Sequence, residues 1–140
     1  MISLEMLGYY STQKGTQKYP FPLGLFKSDT GNFIAFVSNL NSKKLLNDFI
    51  KRFRNIVEFP SDGVAFPQII PGIGWSDHQS FWKFNYPAIM VTDTAFFRYP
   101  YYHSQEDTPD KICYDHMARV VSGLSKVIED LANGPSLPTL

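Results

Sequence analysis

Two short, uninterrupted apolar runs constrain this chain more than any other feature. Phe33-Ile34-Ala35-Phe36-Val37 and Ala88-Ile89-Met90-Val91-Thr92 are too short for typical helices and lack the alternation of strands with one wet face. Runs of this kind read as strands covered on both sides. Between them Leu45, Leu46, Phe49, Ile50 and Phe53 recur at the spacing of one helix face, with Asn41 or Ser42 as N-cap. A buried strand, an amphipathic helix and a second buried strand predict an α/β layer arrangement rather than a β-sandwich.

The flanking sequence adds elements and loops. Ile2, Leu4 and Met6 alternate with Ser3 and Glu5, which predicts a further strand at the start. A domain that opens directly in a core strand is expected to be continued by sequence outside this chain. Residues 9–30 are rich in Gly, Pro, Ser, Thr and Tyr, and residues 57–85 are broken by Pro60, Pro67, Pro71 and three glycines. Both are expected to be long irregular excursions of the kind that wrap a site. A final helix is predicted from Thr108 as cap and Pro109 at its first position, with Asp110 complementing the dipole. Its apolar stripe runs from Met117 through Val120, Leu124 and Val127 to Leu131, and Asn133-Gly134-Pro135 ends it. Residues 1–134 read as one domain part and 135–140 as a flexible tail.

Composition narrows the function classes. Thirteen basic residues balance thirteen acidic ones, so net charge gives no pull toward nucleic acid or an anionic membrane. The densest basic group, Lys43 to Arg54, falls on the polar side of the helical pattern. No apolar run approaches the ~20 residues of a membrane span. The single cysteine, Cys113, rules out an internal disulfide framework and a thiolate-rich zinc site. A nucleophile elbow, a P-loop and a dinucleotide fingerprint are all lacking. Asp29-Thr30-Gly31 follows Lys27-Ser28 instead of an apolar strand, so it reads as a turn and not as an aspartic-protease triplet.

Among titratable residues, His78 and His103 stand out because both lie in polar-aromatic loops near the ends of buried strands, the edge where open α/β sheets bind ligands. His116 sits within the last helical pattern as a boundary residue. Glu5 is a carboxylate in an otherwise apolar strand; such a group is paired, metal-bound or on an exposed face. Taken one at a time, each of these residues also fits an ordinary structural place.

Taken together, four segments resemble the C-terminal half of the co-catalytic zinc exopeptidases, the family of bacterial leucyl aminopeptidases and glutamate carboxypeptidases. They are Ser3-Leu4-Glu5-Met6-Leu7-Gly8-Tyr9, Gly74-Trp75-Ser76-Asp77-His78-Gln79-Ser80-Phe81, Tyr86-Pro87-Ala88-Ile89-Met90-Val91 and Tyr102-His103-Ser104-Gln105-Glu106-Asp107-Thr108-Pro109-Asp110. The resemblance implies a three-layer α/β/α fold with a mixed sheet, of the phosphorylase/hydrolase-like zinc peptidase type, of which this chain is the C-terminal portion. It implies zinc as cofactor, one or two ions in the complete domain, with Glu5 and His103 as metal ligands. It further places Tyr102 beside the scissile carbonyl, Asp77, His78 and Phe81 around the substrate, and Asp107 bracing the histidine loop.

The family's upstream histidine, bridging aspartate, catalytic glutamate and adjacent ligand glutamate have no counterpart here, which leaves each zinc one protein ligand against the usual three. The expected function is therefore part of an aminopeptidase-type metallopeptidase whose chain alone is inactive, with a peptide as substrate of the complete enzyme. A glutaminyl cyclase of the same fold and a non-catalytic, truncated peptidase-like module are the competing readings. Open sheet edges are expected at the Leu4 and Phe33 segments, with self-association to cover them.

Overall fold

The computed structural model describes residues 1–134 apart from Pro22 and Phe26; residues 135–140, and with them the expected tail, lie outside the described part. In chain order the elements are β1 (Ile2–Glu5), β2 (Ile34–Ser38), α1 (Lys43–Ile56), β3 (Ser61–Ala65), α2 (His78–Trp82), β4 (Ile89–Thr92) and α3 (Tyr114–Asn133). Short 3-10 turns occur at Leu23–Leu25, Ala95–Phe97 and Pro109–Lys111.

The four strands form one mixed sheet in the order β1-β4-β2-β3. β4 is parallel to β1, with Leu4 opposite Val91 and Glu5 opposite Thr92, and antiparallel to β2. β3 runs parallel to β2 on the far side. This is the α/β class with a mixed sheet that the sequence predicts.

Alternation along the strands explains the two cores. Ile34 and Phe36 of β2, with Ile89 and Val91 of β4, turn to the face covered by α1 and α3 and are fully buried there. The Phe36 ring packs 5.7 Å from Phe49 and 5.2 Å from Phe53. Ala35, Val37 and Met90 turn the other way, against Ile73 and Trp82. Each fully buried large apolar side chain contributes about 2 kcal/mol, so both faces help hold the sheet. Gly123 brings α3 close to α1, because a Cβ there would lie 2.7 Å from Val57 and 2.8 Å from Phe53.

The structure departs from the sequence reading at four places. The last helix does not start at Thr108. Thr108 and Pro109 open a separate 3-10 turn, Ile112 leaves helical backbone at φ −79°, ψ 128°, and the Cys113 N–H is drawn to the Gly8 carbonyl at 2.8 Å. α3 begins only at Tyr114. The 57–85 segment is not wholly irregular: Ser61-Asp62-Gly63-Val64-Ala65 pairs with β2 as an edge strand, its weak β-propensity overridden by that neighbour, and α2 follows. The Phe33 segment is not a sheet edge, since β2 is paired on both sides; the edges are β1 and β3. Ser42 stands at the N-cap position, but its hydroxyl accepts the Ala88 N–H at 3.1 Å and so joins α1 to β4 instead of capping the helix.

Candidate active site

Two loops leave the C-terminal ends of the parallel strands β1 and β4, and one buried carboxylate ties them together. Asp93 follows β4 directly. Its Oδ2 accepts the amides of Gly8 (3.1 Å) and Tyr9 (2.8 Å), and its Oδ1 accepts that of Ala95 (3.0 Å). Burial pushes this carboxyl above the usual aspartate range, against the pull of those amides and of Arg98. Arg98, also buried, donates from Nε to Gln17 Oε1 at 2.8 Å and from one terminal nitrogen to the carbonyls of Phe33 (2.9 Å) and Tyr9 (3.2 Å). Its guanidinium lies 4.6 Å from the Phe33 ring centroid. Desolvation lowers its pKa to about 10, with Asp93 opposing that shift. The long 9–33 excursion is thereby pinned to the loop after β4.

These loops enclose a cavity of about 130 Å³ over the sheet face opposite α1 and α3. Its floor is Ala35, Val37, Met90 and Val64, and its walls include Phe33, Ile73, Trp75, Phe96 and Phe97. Trp75 stacks on Phe96 at 5.4 Å, and Phe96 meets Phe97 at 4.2 Å. Most of the exposed lining is apolar; Glu5, Gln17, Lys18, Tyr19, Thr92, Thr94 and Tyr102 border it, and the ion-paired Lys27 and Asp62 line it from the excursion and from β3. A concave apolar surface with sparse polar groups is what a small ligand or side chain requires.

Glu5 is half-buried at the end of β1, and its Oε2 accepts the Ser76 hydroxyl at 3.0 Å. Ser76 is in turn 2.9 Å from the Ser3 hydroxyl, so two serines fix the carboxylate on the cavity side of the sheet. Tyr102 faces the same cavity and stacks on His103, with ring centroids 4.0 Å apart and planes at 15°. His103 is exposed and holds a left-handed backbone, φ 56°. Tyr99 donates its hydroxyl to Asp107 at 2.7 Å, which closes the loop that carries His103.

The structure thus brings Glu5 and Tyr102 to one cavity, with His103 against Tyr102 and Asp107 at the base of its loop. It does not bring Asp77, His78 and Phe81 to the cavity lining among the described residues. Asp77 and Phe81 are exposed on and beside α2. His78 is fully buried under Trp82, with Nε2 2.7 Å from the Ile73 carbonyl, so it supports a cavity-lining residue from behind.

Strain is concentrated at this end of the sheet. Of the five non-glycine residues with positive φ among those described, Met6, Thr94, Ala95 and His103 all lie in the loops after β1 and β4. Such backbone persists only where its surroundings enforce it, and it clusters at functional sites.

Sequence reasoning passed over Asp93, Arg98, Gln17 and Ser76. The Asp93 signal was present: a carboxylate directly after a buried parallel strand sits where ligand-binding loops begin. Gln17 and Arg98 meet only through the fold.

Whether these residues alone could hold zinc is a matter of donor count. Glu5 offers an oxygen and His103 an imidazole, but among the described residues no three His, Cys, Asp or Glu side chains converge into a metal-binding group. A catalytic zinc usually takes three protein ligands, and Glu5 and His103 together offer two donors.

The chain matches the profile of peptidase family M28 over residues 3–128. It is also 39% identical over 125 residues to an uncharacterized protein of Escherichia coli (strain K12), YfbL, an alignment covering 89% of this chain and 39% of that relative. The chain therefore spans well under half the length of this relative. With nearly all of the sequence matched to one family profile, the chain belongs to peptidase family M28.

Proposed function

We propose that this chain is the C-terminal part of a zinc-dependent, aminopeptidase-type member of its family, and that it does not hydrolyse peptides on its own. The observation that carries the reading is that Glu5 and Tyr102, two positions singled out from the sequence, border one apolar cavity. In this reading Glu5 and His103 each give one ligand to a metal centre completed by residues outside this chain. Tyr102 directs its hydroxyl toward the reacting carbonyl, where a donor stabilises developing negative charge. The cavity takes an apolar side chain of the peptide, held by Trp75, Phe96 and Phe97. Asp77 and Phe81 form the outer rim, while His78 acts through Ile73, and Asp107 keeps the His103 loop closed. No helix among the described residues is long and apolar enough to cross a membrane.

A non-catalytic peptidase-like module is the second reading, favoured by the lack of a convergent ligand set among the described residues. The two are separated by joining this chain to the portion of YfbL that it does not match and assaying peptides with a free amino terminus. The peptidase reading expects zinc-dependent release of bulky apolar N-terminal residues, reduced at least ~100-fold by Glu5→Gln or His103→Ala. Stoichiometric, folded complex with no turnover on any such peptide would favour the non-catalytic module.

A further inference from the structure

The cavity lies over a row of side chains that crosses the whole sheet, and the ends of that row differ from its middle. Glu5 of β1 is paired with Thr92 of β4, Thr92 with Ala35 of β2, and Ala35 with Asp62 of β3. Residues paired in this way share a face, so the row stands on the cavity side and carries a carboxylate at each end. Three strand spacings put those ends about 14 Å apart. Between them the row presents only Thr92 and the methyl group of Ala35, and the next row adds Met90, Val37 and Val64. A long side chain at position 35 would fill this space, so Ala35 sets the room available.

The end away from Glu5 is closed by a charge pair. Asp62 Oδ2 accepts from Lys27 Nζ, and Asp62 Oδ1 takes the Gly63 amide at 2.9 Å. An ammonium carries three donor hydrogens, and among the described residues Asp62 is the one hydrogen-bond partner of Lys27 Nζ. Gln17 and Thr94, which also border the cavity, are engaged with each other, the Thr94 hydroxyl donating to Gln17 Oε1 at 3.0 Å. Spare hydrogen-bonding capacity is therefore concentrated at Lys27.

Such an end selects the tip of an entering side chain. A tip with net charge would be repelled by one member of the pair and would lose its water in an apolar channel. A purely apolar tip would displace water from Lys27 without replacing its hydrogen bonds. A phenolic hydroxyl meets both members, accepting from Lys27 and donating to Asp62. Its ring suits the apolar middle and the aromatic walls Phe33, Phe96 and Phe97.

We infer that the cavity is a tyrosine-recognising subsite, with Lys27 and Asp62 reading the hydroxyl and Ala35 leaving room for the ring. The inference rests on the peptidase reading above and narrows it, among bulky N-terminal residues, to tyrosine ahead of phenylalanine. Lys27 and Asp62 lie at the end away from Glu5, so they set specificity and leave the bond-breaking step to other groups.

The cavity lining belongs to this chain, so the subsite is tested on the chain alone, by NMR titration with p-cresol and with toluene. These are the tyrosine and phenylalanine side chains cut at Cβ. Binding of p-cresol is expected to shift the signals of Ala35, Asp62 and Val64. It should be at least ~10-fold tighter than that of toluene, because a site that hydrogen-bonds a hydroxyl rejects the analogue without it. Lys27→Met should bring the two affinities within about 2-fold of each other. The side chains of this pair are 30% and 32% exposed, so its loss should leave the melting temperature nearly unchanged. The two ligands on the unaltered chain decide the matter without any variant. Equal affinities there, a preference that Lys27→Met retains, shifts confined to another region, or binding of neither ligand would overturn the inference. Joined to the portion of YfbL that it does not match, the chain should release N-terminal tyrosine with a kcat/KM ~10-fold above that for phenylalanine. Hydrolysis without that preference keeps the peptidase reading and overturns the subsite. A p-cresol preference without hydrolysis supports the subsite and counts against the peptidase reading, so the two can fail separately.

Discussion

The Ser76 hydroxyl donates to the Glu5 carboxylate at 3.0 Å, across 71 residues of sequence. This contact joins the end of the edge strand to the loop before α2 and sets the carboxylate on the cavity side of the sheet. Ser76→Ala is expected to cost about 1 kcal/mol, the worth of a partly exposed hydrogen bond, because water can still reach the half-buried Glu5. Urea unfolding at neutral pH measures it, and an unchanged midpoint would show that the contact contributes nothing to stability.

Asp93 should matter more. Removing its carboxylate leaves the amides of Gly8, Tyr9 and Ala95 without their acceptor in a buried setting. Asp93→Ala is expected to destabilise the chain by about 2 kcal/mol, with the gain from no longer burying a carboxylate offsetting part of the loss. Exchange of those three amides should rise before global unfolding, which separates local loosening from a general loss of stability.

His78 predicts an acid limb. Burial holds its pKa below the ordinary histidine value of 6.5, against the opposing Ile73 hydrogen bond and the charges of Asp77 and Glu5. Nε2–H donating to Ile73 is the neutral form, and a proton on Nδ1 would be buried with no partner. A histidine with a depressed folded-state pKa binds protons more readily when unfolded, so stability should fall as pH drops from 6.5 toward that lower value. His78→Gln, which keeps a donor for Ile73, should flatten this limb in thermal melts between pH 7 and pH 5, as those two values bracket the ordinary histidine range.

Gly123 is a packing test. A side chain there meets Val57 and Phe53 at under 3 Å, so Gly123→Val is expected to cost about 2 kcal/mol by forcing α3 away from α1. The same substitution at exposed Ser122 should change the melting temperature little.

The sequence disclosed the fold where the apolar pattern was continuous. Phe33–Val37 and Ala88–Thr92 were legible as doubly covered strands because their neighbours on both faces demand apolar side chains. β3 was not legible, since Asp62 and Gly63 belong to no strand pattern and are held there by pairing with β2, by the Lys27–Asp62 ion pair and by Ile50 of α1 packing beside Gly63. The start of α3 was misplaced because Thr108-Pro109-Asp110 carries every local signal of a helix start. What breaks that helix is the long-range pull of Gly8 on Cys113. For the site, Glu5, Tyr102 and His103 gained meaning from their companions in four ordered segments. Ser76, Asp93, Gln17 and Arg98 meet their distant partners through contacts 65 to 89 residues apart, which no local pattern carries.

The central claim is that this chain carries one side of an M28 peptidase site without a complete metal centre. It is tested most directly by measuring zinc content and peptide hydrolysis of the chain by itself after equilibration with zinc. The account predicts substoichiometric zinc and no release of N-terminal residues. A full equivalent of zinc held through gel filtration, with turnover abolished by Glu5→Gln, would contradict it.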